Sequence, residues 1–116
     1  MNADLRACIA NIAARINGQP VNGAVYDYDQ GRHIHVSGQV KDDRVSVYDH
    51  GRGAHVTGSF RNLYDYGVGA HVSLRVDDDR FSGYDFGSGS HFSGTLSGRS
   101  VTIYDYGTSR HYHYTV

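Results

Sequence analysis

Five near-copies of one octapeptide, each with the same internal spacing, limit this chain more than any other feature. YDYDQGRH begins at Tyr26, YDHGRGAH at Tyr48, YDYGVGAH at Tyr64, YDFGSGSH at Tyr84 and YDYGTSRH at Tyr104. In every copy the histidine follows the tyrosine by seven positions, giving His33, His55, His71, His91 and His111. Successive copies start 22, 16, 20 and 20 residues apart. Repetition at such a period means one supersecondary unit used again and again, because a single unit cannot bury its own apolar face.

The unit reads as a β-hairpin. Gly51, Gly67, Gly87 and Gly107 occupy the fourth position of four copies, which suits the first loop residue of a type II′ turn. That register sets Tyr48 opposite His55 and Asp49 opposite Ala54, and it carries over to each copy. The first copy departs at the turn, with Asp29-Gln30 as its loop. A three-residue loop with a glycine bulge is the competing register and would shift the partners. Further turns are expected at Asp77-Asp78 and Ser97-Gly98, midway between one histidine and the next tyrosine. Folding there sets each histidine opposite the following tyrosine too. The product is an antiparallel meander of about ten short strands.

Side-chain alternation sorts the faces of that sheet. One face carries the Tyr/His row with Ser37, Ser46, Thr57, Ser73, Ser82, Ser93 and Thr102. The other carries Val36, Val40, Val45, Val47, Val56, Phe60, Val72, Leu74, Val76, Phe81, Phe92, Leu96, Val101 and Ile103. Gly38, Gly58, Gly83 and Gly94 interrupt the apolar face in mid-strand, and the repeat aspartates join it near the turns.

Before the repeats, residues 2–17 place Leu5, Ile9, Ile12 and Ile16 on one helical face, with Asp4, Asn11 and Arg15 elsewhere on the wheel. Asn17-Gly18 and Pro20 supply the stop. The whole chain, 1–116, reads as a single domain: this helix, then five hairpins over 25–116. An open sheet of ten strands would be roughly 48 Å wide, and one helix about 10 Å across cannot cover it. A sheet strongly curved or closed into a barrel is therefore expected, with the amphipathic helix packed on its apolar face, inside or across one mouth. Closure leaves a radius of roughly 10 Å, and glycines at strand centres would make room for the helix. A flatter sheet dimerising through its apolar face is the alternative.

Composition narrows the function classes. The net charge is −1 and the arginines are scattered, so no basic stripe marks a nucleic-acid or anionic-membrane surface. The one cysteine, Cys8, has no partner for an internal disulfide and reads as a small buried hydrophobe. Asp4, Arg6, Asn11 and Arg15 interrupt any signal-peptide core. The expectation is a soluble cytoplasmic protein.

Tyr, Asp and His are residue types that chemistry uses, yet here they occur in five similar copies, whereas a catalytic centre gathers different groups at one point. No catalytic residue is assigned. Asp27, Asp49, Asp65, Asp85 and Asp105 are expected to tie down their own turns through backbone N–H groups. Asp27 would also pair across the strands with Arg32, and Asp105 with Arg110. The expected binding face comprises Tyr48, His55, Tyr64, His71, Tyr84, His91, Tyr104 and His111. It suits a protein partner, a second copy of the chain, or a polar ligand such as a glycan. The pairs His33/His35 and His111/His113, with His50, form an alternative site for a divalent transition metal, since H-x-H on a strand is a usable bite. Otherwise no cofactor is expected. A weaker alternative is a small-molecule carrier with a pocket beside the helix.

Overall fold

Alternation of apolar and polar residues from Val25 onward does produce strands, and the computed structural model describes them throughout residues 1–116. One helix, α1 (Ala3–Ile16), precedes β1 (Ala24–Asp27), β2 (Arg32–Lys41), β3 (Arg44–Asp49), β4 (Ala54–Ser59) and β5 (Asn62–Asp65). Then come β6 (Ala70–Asp77), β7 (Arg80–Asp85), β8 (Ser90–Ser97), β9 (Ser100–Asp105) and β10 (Arg110–Thr115). Every strand pairs antiparallel with its chain neighbours, and β10 pairs with β1, so the sheet closes into a barrel. The closing seam is short, joining Tyr26 to Thr115 and Asp27 to Tyr114.

Closure solves the coverage problem, because α1 runs inside the barrel. Asn2 caps it, its side-chain oxygen accepting from the Asp4 and Leu5 amides at 2.9 and 3.2 Å. Of the two expected placements, inside or across one mouth, the helix takes the first: every residue from Leu5 to Ala14 is buried, Arg6 and Asn11 included. Small residues allow this. Ala7, Cys8, Ala10, Ala13 and Ala14 are fully enclosed and keep the helix thin enough to pass through the lumen, packed chiefly on β1, β2, β3 and β9. Leu5, Ile9 and Ile12 supply its larger contacts, each worth about 1.5–3 kcal/mol when buried.

The inward face of the wall is the expected apolar one, with Val36, Val45, Val47, Val56, Val72, Leu74, Phe81, Phe92, Leu96, Val101 and Ile103 in one continuous core. Gly38 and Gly58 lie at φ 127° and 138° against the backbone of β3 and β5, and the other two mid-strand glycines have a different purpose from the one expected. A Cβ on Gly83 would lie 2.5 Å from the Phe92 ring, and one on Gly94 would lie 2.2 Å from the Phe81 ring. These glycines seat cross-strand phenylalanines rather than the helix. The two rings fill the β7–β8 side of the lumen, away from the strands that α1 leans on.

Two register expectations are corrected. Tyr48 does face His55, and Asp49 does face Ala54. The connecting loop, however, has four residues, and its left-handed residue is the last: Gly31, Gly53, Gly69, Gly89 and Ser109 have φ between 57° and 79°. Gly51, Gly67, Gly87 and Gly107 are therefore not type II′ glycines. Gly87 and Gly107 are small because the neighbouring hairpin passes close, a Cβ there meeting Val68 at 2.9 Å and Ser90 at 2.4 Å. At the other end the turns centre one residue later than expected. Tyr84 consequently faces Ser73 and Tyr104 faces Ser93, not the preceding histidine. A shift of two residues keeps each side chain on its face, so the sorting of inside from outside survives.

Candidate functional site on the outer wall

The five repeat aspartates point into the barrel mouth and are buried. Each side chain accepts from the backbone amide two residues on, from Asp29, Gly51, Gly67, Gly87 and Gly107, at 2.8–3.1 Å. These are Asx turns, and they fasten the loops. The anticipated cross-strand ion pairs are replaced by others. Arg32 reaches Asp4 and Arg110 reaches Asp29, both at 2.8 Å. The buried carboxylates take their cations from elsewhere: Arg6 of the helix sits 3.1 Å from Asp105, with the Met1 amine at 3.3 Å, and Arg52 bridges Asp49 at 2.6 Å and Asp65 at 2.8 Å. The positive end of the helix dipole faces the same ring of carboxylates.

Arg6 also donates to the Tyr114 hydroxyl at 3.2 Å and lies 3.5 Å over the Tyr112 ring. Burial pushes the Tyr114 phenol up, and the Arg6 hydrogen bond offsets only part of that rise. Burial lowers the affinity of Arg52 for its proton, but the bonds to Asp65 and Asp49 outweigh this and hold it firmly cationic. Cys8 lies beside Arg52, and burial, with Asp49 adding to it, keeps its thiol protonated. This end of the lumen is a structural lock. Tyr112 and Tyr114 were missing from the expected core, although strand parity opposite to His111 and His113 places them inside.

Outside, each repeat builds the same aromatic trio. The tyrosine meets its cross-strand histidine edge to face, with ring centres 4.6–4.9 Å apart in Tyr26–His33, Tyr48–His55, Tyr64–His71, Tyr84–His91 and Tyr104–His111. A second ring, two residues after the tyrosine, packs at 4.7–4.9 Å: Tyr28, His50, Tyr66, Phe86 and Tyr106. Such pairs hold their rings at fixed angles. Tyr28, Tyr66, Phe86 and Tyr106 are 57–63% exposed. Apart from His50, this position was given no role by the sequence reading, yet it is aromatic in all five copies.

The wall below the trios presents the expected hydroxyl row, and Arg44, Arg61, Arg75 and Arg80 are exposed near the opposite end. A lipid-spanning barrel needs an apolar band in that place. Of the candidate metal ligands, His33 and His35 lie on β2 and His111 and His113 on β10, with β1 between them. His50 shares a hydrogen bond with Ser37 at 2.7 Å, and His113 one with Thr102 at 3.1 Å. No three His, Cys or Asp side chains gather around a common point. Comparison with family models, with curated proteins and with solved structures returns no match.

Proposed function

We propose that this chain is a non-catalytic binding module that holds a polar ligand with repeated units against the outer wall of its barrel. The observation that carries this reading is the aromatic trio, displayed outward once in each of the five hairpins. Equivalent sites on one rigid body favour a ligand that offers the same group several times, since each further contact is made at high effective concentration. The surroundings of the trios support a polar ligand over a second copy of the chain. Exposed rings are separated by hydroxyls, imidazoles and guanidinium groups, whereas lasting self-assembly calls for a continuous apolar patch. A closed barrel also lacks a free strand edge on which a peptide could pair through its backbone.

The test is affinity electrophoresis through a panel of neutral and charged polysaccharides. The wild type should be retarded by at least one of them. Retardation should fall stepwise as Tyr66, Phe86 and Tyr106 are replaced by Ser, one after another. Passage through every polymer without retardation would sink the reading, as would a triple variant that is retarded like the wild type.

A further inference from the structure

The trios repeat in every hairpin, but the wall beneath them does not. Over β6–β9 it is hollowed into three clefts that meet at Arg75. One, of about 580 Å³, runs between Arg80, Ser82, Ser93 and Tyr104. A second, of about 550 Å³, lies towards Arg61, Ser73 and His91. The third, of about 320 Å³, sits at the barrel mouth, where Ile16, Phe60, Leu74 and Val76 give it an apolar floor. Arg75 lines all three. The row of small hydroxyl residues explains the depth, since Ser73, Ser82 and Ser93 leave space between the rings on one side and the arginines on the other.

The charges in these clefts are unspent. Arg6, Arg32, Arg52 and Arg110 are the arginines that form ion pairs with carboxylates. Arg61, Arg75 and Arg80 form none, and Asp77 is the single acid along the clefts. A guanidinium without a partner offers a planar fork of donors suited to a carboxylate or sulfate. Beside it, hydroxyls and imidazoles such as Ser82, Ser93 and His91 can exchange hydrogen bonds with sugar hydroxyls, and the Tyr84 and Tyr104 rings offer faces for sugar C–H groups.

Building on the proposed function, we infer that the β6–β9 wall is a site for an acidic oligosaccharide, with Arg75 binding a carboxylate or sulfate on a sugar ring. The trios then hold the neighbouring units of the same polymer. Three arginines without a carboxylate partner set this wall apart, and the ligand's negative charge selects it.

Isothermal titration with oligogalacturonate, sulfated dextran and neutral dextran tests the assignment and separates carboxylate from sulfate. At least one charged polymer should bind at least tenfold more tightly than neutral dextran, and its affinity should fall as salt rises. Arg75→Ser should weaken that binding tenfold or more, while Arg44→Ser, which removes an equal charge from β3, should leave it within twofold. Arg75 is exposed, so the variant is expected to fold, and an unchanged thermal midpoint would verify that. Equal losses in the two variants would overturn the site, as would equal affinity for neutral and charged dextran. A phosphopeptide bound more tightly than every saccharide would also overturn it. If neutral polymers bind and the serine series at Tyr66, Phe86 and Tyr106 weakens them, the module stands and only this inference falls.

Discussion

The two ends of the barrel are built by different rules. At the loop end, five Asx turns, a buried Arg6–Asp105 pair and the Asp49–Arg52–Asp65 bridge tie wall to wall and wall to helix. At the other end, two-residue turns at Asp42-Asp43, Phe60-Arg61, Asp78-Asp79 and Gly98-Arg99 stand largely in solvent. Their side-chain ties are few: Asn17 donates to the Asp78 carbonyl at 2.5 Å, and Arg99 to that of Val116 at 2.6 Å. Repetition marks the end that holds the fold, and the clefts run from the trios towards the end that varies. The repeat aspartates are therefore spent on the fold, whereas Arg61, Arg75 and Arg80 carry no carboxylate partner.

That contrast can be broken most directly inside the lock. Asp105→Ala strands Arg6 in the core and should cost about 3–5 kcal/mol, the usual penalty for removing one partner of a buried pair. Asp85 has no cation, only the Gly87 amide at 3.1 Å and the Ser88 hydroxyl at 2.8 Å. Asp85→Ala should therefore cost only about 1–3 kcal/mol. Urea denaturation of the two variants reads the difference, and equal losses would mean that the ion pair adds nothing to the turn.

A pH series sharpens the same point with a smaller effect. The Tyr114 phenol titrates higher in the fold than its ordinary value near 10. Folding thus favours the protonated phenol. The stability it contributes is complete below about pH 10 and is lost as pH rises through the folded value. Tyr114→Phe removes that titration, so its denaturation midpoint should decline less steeply above pH 10 than the wild type's. Parallel alkaline slopes would contradict this. The smallest effect belongs to the opposite end: Asp79→Ala, in an exposed turn, should change stability by no more than about 0.5 kcal/mol.

Much of this was readable from residue order. A hairpin is a local object, so a seven-residue spacing was enough to pair Tyr with His and to send Asp inward. Parity then separated Val and Phe from Ser and His along each strand. The Asx turns were legible for the same reason, since carboxylate and amide are two residues apart. Other features were not local. The turns opposite the loops lack a repeated motif, and a one-residue error there moved the partners of Tyr84 and Tyr104 by two. Ion pairs were misassigned because charges facing each other across a strand pair can reach past it, as Arg32 does to Asp4 and Arg110 to Asp29.

The sequence by itself determined the unit, its inner and outer faces, and the need to curl, because ten strands expose more apolar surface than one helix covers. Only the tertiary structure decided that the helix would be swallowed whole, that Arg6 would meet Asp105 from 99 positions away, and that three clefts would converge on Arg75. The physical reason is closure. Joining β10 to β1 makes every register step count around the ring, and contacts across the lumen or along the wall exist only once that ring is complete.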